Sequence, residues 1–237
     1  MPILTPRVLA PCVATGLLVA VLGLCLGTPA LALSRNKTVS RMANATTVLE
    51  EVLNIPEQGI PDALLAGSEA VIVIPHVVEG AFLFGGRAGY GIMVRRQKDR
   101  WSNPCFVAIK GGSFGLQLGG QAVDLILLIQ NPRGVDAILS DNFTFSGDAA
   151  ATAGPVGRNA EAGTDLTLRA GILSYSRSKG LFAGISIQGA TLTIDRKANY
   201  TFYQKLIDHR KILSDALMPV PEEFQGFLRL LQPYLNQ

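Results

Sequence analysis

The hydrophobic pattern changes period twice along the chain. Over residues 34–53 the apolar positions Val39, Met42, Ala43, Leu49, Val52 and Leu53 recur near helical spacing, which predicts an amphipathic helix. Pro56 and Pro61 interrupt it, and a short helical turn is expected around Asp62 to Leu65. Ala70-Val71-Ile72-Val73-Ile74 is then a continuous, mainly β-branched run that predicts a buried strand ended by Pro75. Further strands are expected over 81–84, 89–95, 106–110, 113–118 and 122–130, and after an interruption over 166–169, 171–176, 181–187 and 190–194. Past Asn199 helical spacing returns, with Tyr200, Tyr203, Leu206 and Ile207 on one face, followed by Ile212, Leu213 and Leu217. Pro221, Glu222 and Glu223 open a last helix whose Phe224, Phe227, Leu228 and Leu231 are expected to pack on the domain, since Arg229 is its only basic residue.

Most of the connections between strands are too short for a crossover helix, so the sheet should be mainly antiparallel. Asn131-Pro132 caps and starts one short helix to about residue 139, and Lys179-Gly180 marks a tight hairpin. Glycine recurs inside the strands, at 85, 86, 89 and 91, at 111, 112, 115, 119 and 120, and at 171, 184 and 189. In strands that recurrence marks bends, bulges or close backbone approach. The expected fold is α+β: a strongly curved, mainly antiparallel, glycine-rich sheet or half-closed barrel, with an N-terminal amphipathic helix and C-terminal helices.

Ahead of the first helix, Arg7, the apolar stretch 8–26 and Ala30-Leu31-Ala32 read as an export signal cleaved after Ala32. The competing reading is a retained membrane anchor, which the positive charges of Arg35, Lys37 and Arg41 just after the cut favour. The chain divides into a signal peptide (1–32), the amphipathic helix with its linker (33–58), a β domain (59–203) and a C-terminal helical segment (204–237). Export implies a periplasmic or extracellular, or membrane-associated, location. Losing Cys12 and Cys25 with the leader leaves only Cys105, so stability must come from packing rather than a disulfide. The chain has 48% hydrophobic and 16% charged residues and a net charge of +3, enough for one sizeable core and without the basic field that nucleic acid would demand.

Candidate chemistry is sparse. Gly111-Gly112-Ser113-Phe114-Gly115 matches the G-x-S-x-G of a serine hydrolase elbow, but the following residues read as strand where an elbow turns into a helix. His76 and His209, the only histidines, lack companion ligands at helical spacing, and no phosphate loop or dinucleotide fingerprint is present, so no metal, cofactor or catalytic residue is assigned. Asp124 stands in an otherwise apolar strand, where a carboxylate needs partners, and Arg158 is a candidate for a structural ion pair. Arg95, Arg96, Lys98 and Arg100 beside Trp101 read either as a polar hairpin tip or as residues selected by an anionic interface. Arg35, Lys37 and Arg41 near the start of the first helix, with Glu50 and Glu51 near its end, oppose the helix dipole; they are a solvated face or a basic end that meets phosphates.

Several strings taken together resemble the SYLF domain family: Trp101-Ser102-Asn103-Pro104, Gly115-Leu116-Gln117 through Gln121 to Asp124, Gly154 to Arg158, and above all Tyr175-Ser176-Arg177-Ser178-Lys179-Gly180-Leu181-Phe182-Ala183-Gly184, closing with Asn199-Tyr200-Thr201-Phe202-Tyr203. The resemblance spans 59–203 and implies a non-enzymatic domain that binds membrane lipids, phosphoinositides (phosphatidylinositol lipids) among them, through a basic amphipathic N-terminal helix. Here that role falls to Arg35, Lys37 and Arg41, with the Trp101 cluster as a second anionic contact. Fungal endocytic members are described as actin-binding modules, but an exported chain would not meet cytosolic actin. The likeness is therefore to the exported bacterial branch of the family. A protein ligand within the envelope, met through a sheet edge or the C-terminal helices, is the alternative. On the export reading, N-terminal sequencing of the processed protein is expected to begin Leu33-Ser34-Arg35, whereas a retained anchor leaves residue 1 in place.

Overall fold

In the computed structural model the described residues are 28–80, 86–112, 122–140, 142–147, 150–157 and 171–235. Most of the leader, the strands expected at 81–84, 113–118 and 166–169, Ser113 of the elbow-like motif and Arg158 lie outside them. The elements are α1 (Thr28–Leu53), α2 (Asp62–Ala66), β1 (Ala70–Gly80), β2 (Gly86–Arg95), β3 (Cys105–Gly112), β4 (Ala122–Ile129), α3 (Pro132–Ile138), β5 (Phe143–Thr144), β6 (Thr152–Ala153), β7 (Ile172–Ser178), β8 (Leu181–Gly184), β9 (Ala190–Ile194), α4 (Arg196–Tyr203), α5 (His209–Ser214) and α6 (Gln225–Leu231).

The strands form one curled sheet in the order β5-β9-β3-β2-β1-β4-β7-β6, with β8 paired to β7. All pairings between these strands are antiparallel except β6 with β7. The expected α+β class and curved antiparallel sheet are what the chain adopts. The order ends at β5 and β6 rather than joining them, so it is a half-barrel.

Helices cover both faces of this sheet. Val71, Val73, Ile126 and Leu128 share one core with Met42, Leu49 and Val52 of α1 and Phe227 and Leu231 of α6. Ile72, Ile74, Leu125 and Leu127 face the other way, toward Val135 and Ile138 of α3 and Ile212 and Leu213 of α5. An antiparallel strand buried on both sides has no polar face, which is why residues 70–74 of β1 and 125–129 of β4 read as unbroken apolar runs instead of alternating ones.

Local rules account for most boundaries. Asn131 Oδ1 accepts the Gly134 N–H at 2.8 Å, capping α3 with Pro132 in its first turn as expected. Lys179 and Gly180 adopt φ of 48° and 81°, the left-handed pair of a tight hairpin turn between β7 and β8. Three expectations are corrected. Pro75 does not end β1: the register to both β2 and β4 shifts around residues 74–77, and the strand continues through this bulge to Gly80. The inward stripe of α1 uses Ala45 and Val48, while Ala43 is exposed. Of the face expected of Tyr200, Tyr203, Leu206 and Ile207, Tyr203 and Ile207 pack against the cores, whereas Tyr200 is exposed and Leu206 lies beyond the left-handed Gln204 that ends α4; Ala198 and Phe202 are buried beside them.

Glycine is required where backbones touch. A Cβ on Gly91 would lie 2.1 Å from the Val73 carbonyl oxygen and 2.7 Å from Ile74 Cα, so no side chain can be accommodated without moving β1. Gly226 in α6 meets nothing closer than Thr46 Cγ2 at 3.7 Å. In urea denaturation Gly91→Ala is expected to cost about 3 kcal/mol by overpacking, whereas Gly226→Ala should stabilise by up to about 1 kcal/mol through helix propensity.

Candidate functional site

The sequence-selected cations have separate fates. Arg35 pairs with Glu223 at 2.8 Å and lies 5.4 Å from the Phe202 ring. Backbone hydrogen bonding first, and then Arg35, hold the Glu223 carboxyl below its ordinary range. Arg41 pairs with Asp195 Oδ2 at 2.9 Å, and its guanidinium is 4.9 Å and 5.4 Å from the centres of the Tyr90 and Phe106 rings. Lys37 is exposed and forms no ion pair among the described residues. Because α1 begins at Thr28, these cations sit beyond its first turn, where the dipole penalty expected of them has faded.

The second cluster is built into the structure rather than presented by it. Trp101 is 1% exposed and its indole N–H donates to the Leu231 carbonyl at 3.1 Å, so the expectation of a surface tryptophan is corrected: the hairpin folds back onto the end of α6. Arg96 stacks 4.7 Å from the Trp101 ring and donates to the carbonyls of Leu65, Ser68, Tyr234 and Leu235. Burial lowers its pKa, with Glu69 opposing. Arg100 donates to Gln97 and to the Asp215 carbonyl, and Arg95 is half-buried, leaving Lys98 as the exposed cation of the tip.

Asp124 is buried and ion-paired as expected, but to Arg177, whose Nε and Nη2 lie 3.1 and 2.7 Å from Oδ2. Its other oxygen, Oδ1, accepts the His76 N–H at 3.0 Å. Arg177 also pairs with Glu51 of α1. Burial alone would lower the Arg177 pKa; the hydrogen bonds to Asp124 and Glu51 outweigh it and raise it. One carboxylate therefore joins the bulge of β1, the hairpin strand β7 and, through Arg177, the first helix. Two further titratable groups are structural. His209 shares a 3.0 Å hydrogen bond with the Leu139 carbonyl, and burial pushes the Cys105 thiol up to about 12.

The bulge forms one wall of a cleft of about 560 Å³ beneath α1. Asn36, Lys37, Ser40, Arg41 and Asn44 line it from the helix, and i, i+4 spacing puts 36, 40 and 44 in one row. Opposite them stand Pro75, His76 and Val78 of β1 and Gly89 and Tyr90 of β2. His76 has φ of 50°, uncommon for a residue with a side chain, and Val78 and Tyr90 are 58% and 49% exposed. No carboxylate is among the described residues lining the cleft. Sequence reasoning selected Lys37 and Arg41 but missed His76, Tyr90 and the polar row. The signals available were a histidine following a proline inside a strand, a tyrosine between two glycines, and polar residues at i, i+4.

The family model Ysc84, described as Las17-binding protein actin regulator, matches residues 110–234. LAS seventeen-binding protein 3 of Saccharomyces cerevisiae is 34% identical over 169 residues, covering 70% of this chain and 37% of its own length. Protein YSC84 of the same yeast is 34% identical over 180 residues, 74% of this chain and 38% of its own. SH3 domain-containing YSC84-like protein 1 of Homo sapiens is 32% identical over 205 residues, 84% of this chain and 59% of its own. The chain thus spans well under two thirds of the length of these relatives.

Asp124→Ala leaves the His76 N–H without its acceptor and the Arg177 charge with only the half-exposed Glu51, and is expected to cost on the order of 3 kcal/mol. Glu51→Ala, which removes the half-exposed end of the same network, should cost less than about 1 kcal/mol; urea denaturation of both variants separates the two.

Proposed function

This chain belongs to the Ysc84 family, whose SYLF domain its motifs resemble, and from that premise we propose that it is a non-enzymatic binding protein acting at a membrane surface, its ligand an anionic lipid. One observation carries the reading: α1 turns Asn36, Lys37, Ser40 and Asn44 outward as a polar row in which Lys37 has no ion pair among the described residues. A side chain in that position is available to a phosphate, whereas Arg35 and Arg41 already face Glu223 and Asp195. The names of the relatives, Las17-binding or SH3 domain-containing, are those of binding proteins and support the non-enzymatic part. Export to the periplasm or cell exterior is part of the proposal and rests on the apolar leader and its Ala30-Leu31-Ala32 site. An exported chain would not meet actin, which is therefore not proposed as its partner.

A second reading, an adaptor that binds another protein, is favoured by the printed names and by Leu181. That residue is 78% exposed at the start of β8, next to the Lys179-Gly180 turn.

Co-sedimentation with neutral and with anionic vesicles separates the readings. Binding to anionic vesicles that falls with added salt is expected, and Lys37→Gln should weaken it by about 1 kcal/mol, the contribution of one basic residue near a charged membrane. Failure on every vesicle, with retention of a protein partner sensitive to Leu181→Ser, transfers the function to the second reading.

A further inference from the structure

We infer that the cleft between α1 and the β1 bulge is a binding site for a single phosphate group carried on an apolar stem. The inference rests on the membrane-surface reading for its ligand class and narrows it to one pocket. Three features of the cleft agree. Its charge is one-sided: Lys37 and Arg41 line it, with no carboxylate among the described lining residues, and the exposed His76 imidazole stands opposite, its Nδ1 3.8 Å from Asp124 Oδ1. The two nearby acids already have partners, Asp195 being paired with Arg41 and Asp124 with Arg177. An anion entering the cleft thus meets donors from both walls, Lys37 and Ser40 from the helix and His76 from the strand.

The opposite end is apolar. Val78 and Tyr90 are among the large hydrophobic residues the fold leaves exposed, and both line this cleft. Tyr90 also lies under the Arg41 guanidinium at 4.9 Å, so the aromatic wall and the cationic wall are fixed against each other. A volume of about 560 Å³ falls within the range of small-molecule sites, roughly 300–1,000 Å³, and is more than an inorganic anion needs. Finally, the wall is held in an unfavourable conformation. His76 keeps its φ of 50° because Asp124 accepts its N–H and the sheet shifts register on either side. Strained backbone of this kind persists where surrounding contacts over-determine it and clusters at ligand sites. The cleft residues also lie outside the motif strings through which the chain resembles its family.

A phosphate on an apolar stem is either a lipid head group or a free phosphate ester. Nuclear magnetic resonance of the full chain distinguishes them, using dihexanoyl phosphatidate below its micellar concentration, hexyl phosphate and inorganic phosphate. Both stem-bearing compounds should shift the His76 and Tyr90 resonances, with inorganic phosphate at least tenfold weaker. Tighter binding of the phosphatidate assigns a lipid, and equal or tighter binding of hexyl phosphate assigns a free ester. Lys37→Gln should weaken all three at least fivefold, and Tyr90→Ala only the two with stems; both positions are exposed, and an unchanged denaturation profile verifies folding. Undisturbed His76 and Tyr90 resonances, equal affinity for inorganic and hexyl phosphate, or indifference to Lys37→Gln overturns the site. Vesicle binding that survives such a result leaves the membrane reading standing without the cleft. Soluble binding without vesicle binding keeps the cleft and removes the membrane.

Discussion

A single buried carboxylate, Asp124, ties together the bulge of β1, the strand β7 and the first helix. A charge inside an apolar strand is tolerable only with a full set of partners, and Asp124 draws them from two other strands: the His76 N–H of β1 and the Arg177 guanidinium of β7. The first of these bonds gives the bulge its acceptor, so the His76 amide need not join a ladder. That is the condition under which Pro75, which has no N–H to offer, can sit inside a central strand. The second carries the connection outward to Glu51 and fixes α1 against the sheet. The bulge and the helix are the two walls of the cleft, so the carboxylate that lines neither wall determines how far apart they stand.

The curvature has a steric counterpart. On the Gly91 side of the sheet, β2 approaches β1 so closely that the Val73 carbonyl occupies the space of a side chain. At the other end of the half-barrel, Gly184 approaches Gly154, and Gly154 lies under the Tyr175 ring, whose hydroxyl donates to the Pro155 carbonyl at 3.2 Å. Burial raises the pKa of that hydroxyl and keeps it a donor. Curling the sheet leaves a concave and a convex surface, and each is covered by helices. With one core on each side, the central strands have no face left for solvent, and the cleft lies at the rim where α1 meets the bulge.

This division explains what was legible in the residues. Runs such as 70–74 and 122–130 declared buried strands because both faces are apolar, and Asn131-Pro132 and Lys179-Gly180 declared their turns because capping and left-handed turns depend on one or two residues. The end of β1 was misread because a proline ordinarily terminates a strand, and the acceptor that rescues it lies 48 positions away. Arg177 was not legible as a partner of Asp124 for the same reason: register across β4 and β7, which brings the two opposite each other, is a property of the sheet and not of either strand. Trp101 beside four cations carries the composition of an interface, and only the return of α6 over the hairpin turns it inward. Local chemistry could be read; chemistry assembled by long-range pairing could not.

Among the described residues, the motif strings at 101–104, 154–157, 175–184 and 199–203 prove to be parts of the framework. Asn199 holds the Phe106 N–H and carbonyl, Tyr203 donates to the Pro104 carbonyl, and Asn103 donates to the Met218 and Pro219 carbonyls, so the strings at 101–104 and 199–203 lock each other. The strings at 154–158 and 175–184 do the same through Gly154, Tyr175 and Gly184. What these strings share is a role in closing the half-barrel, and none of their described residues lines the cleft. Asn36, Lys37, Ser40 and Tyr90 lie outside those strings, as does His76, which enters the framework through its backbone N–H to Asp124. The strings that carry the likeness thus hold the sheet together, while the side chains lining the cleft lie outside them.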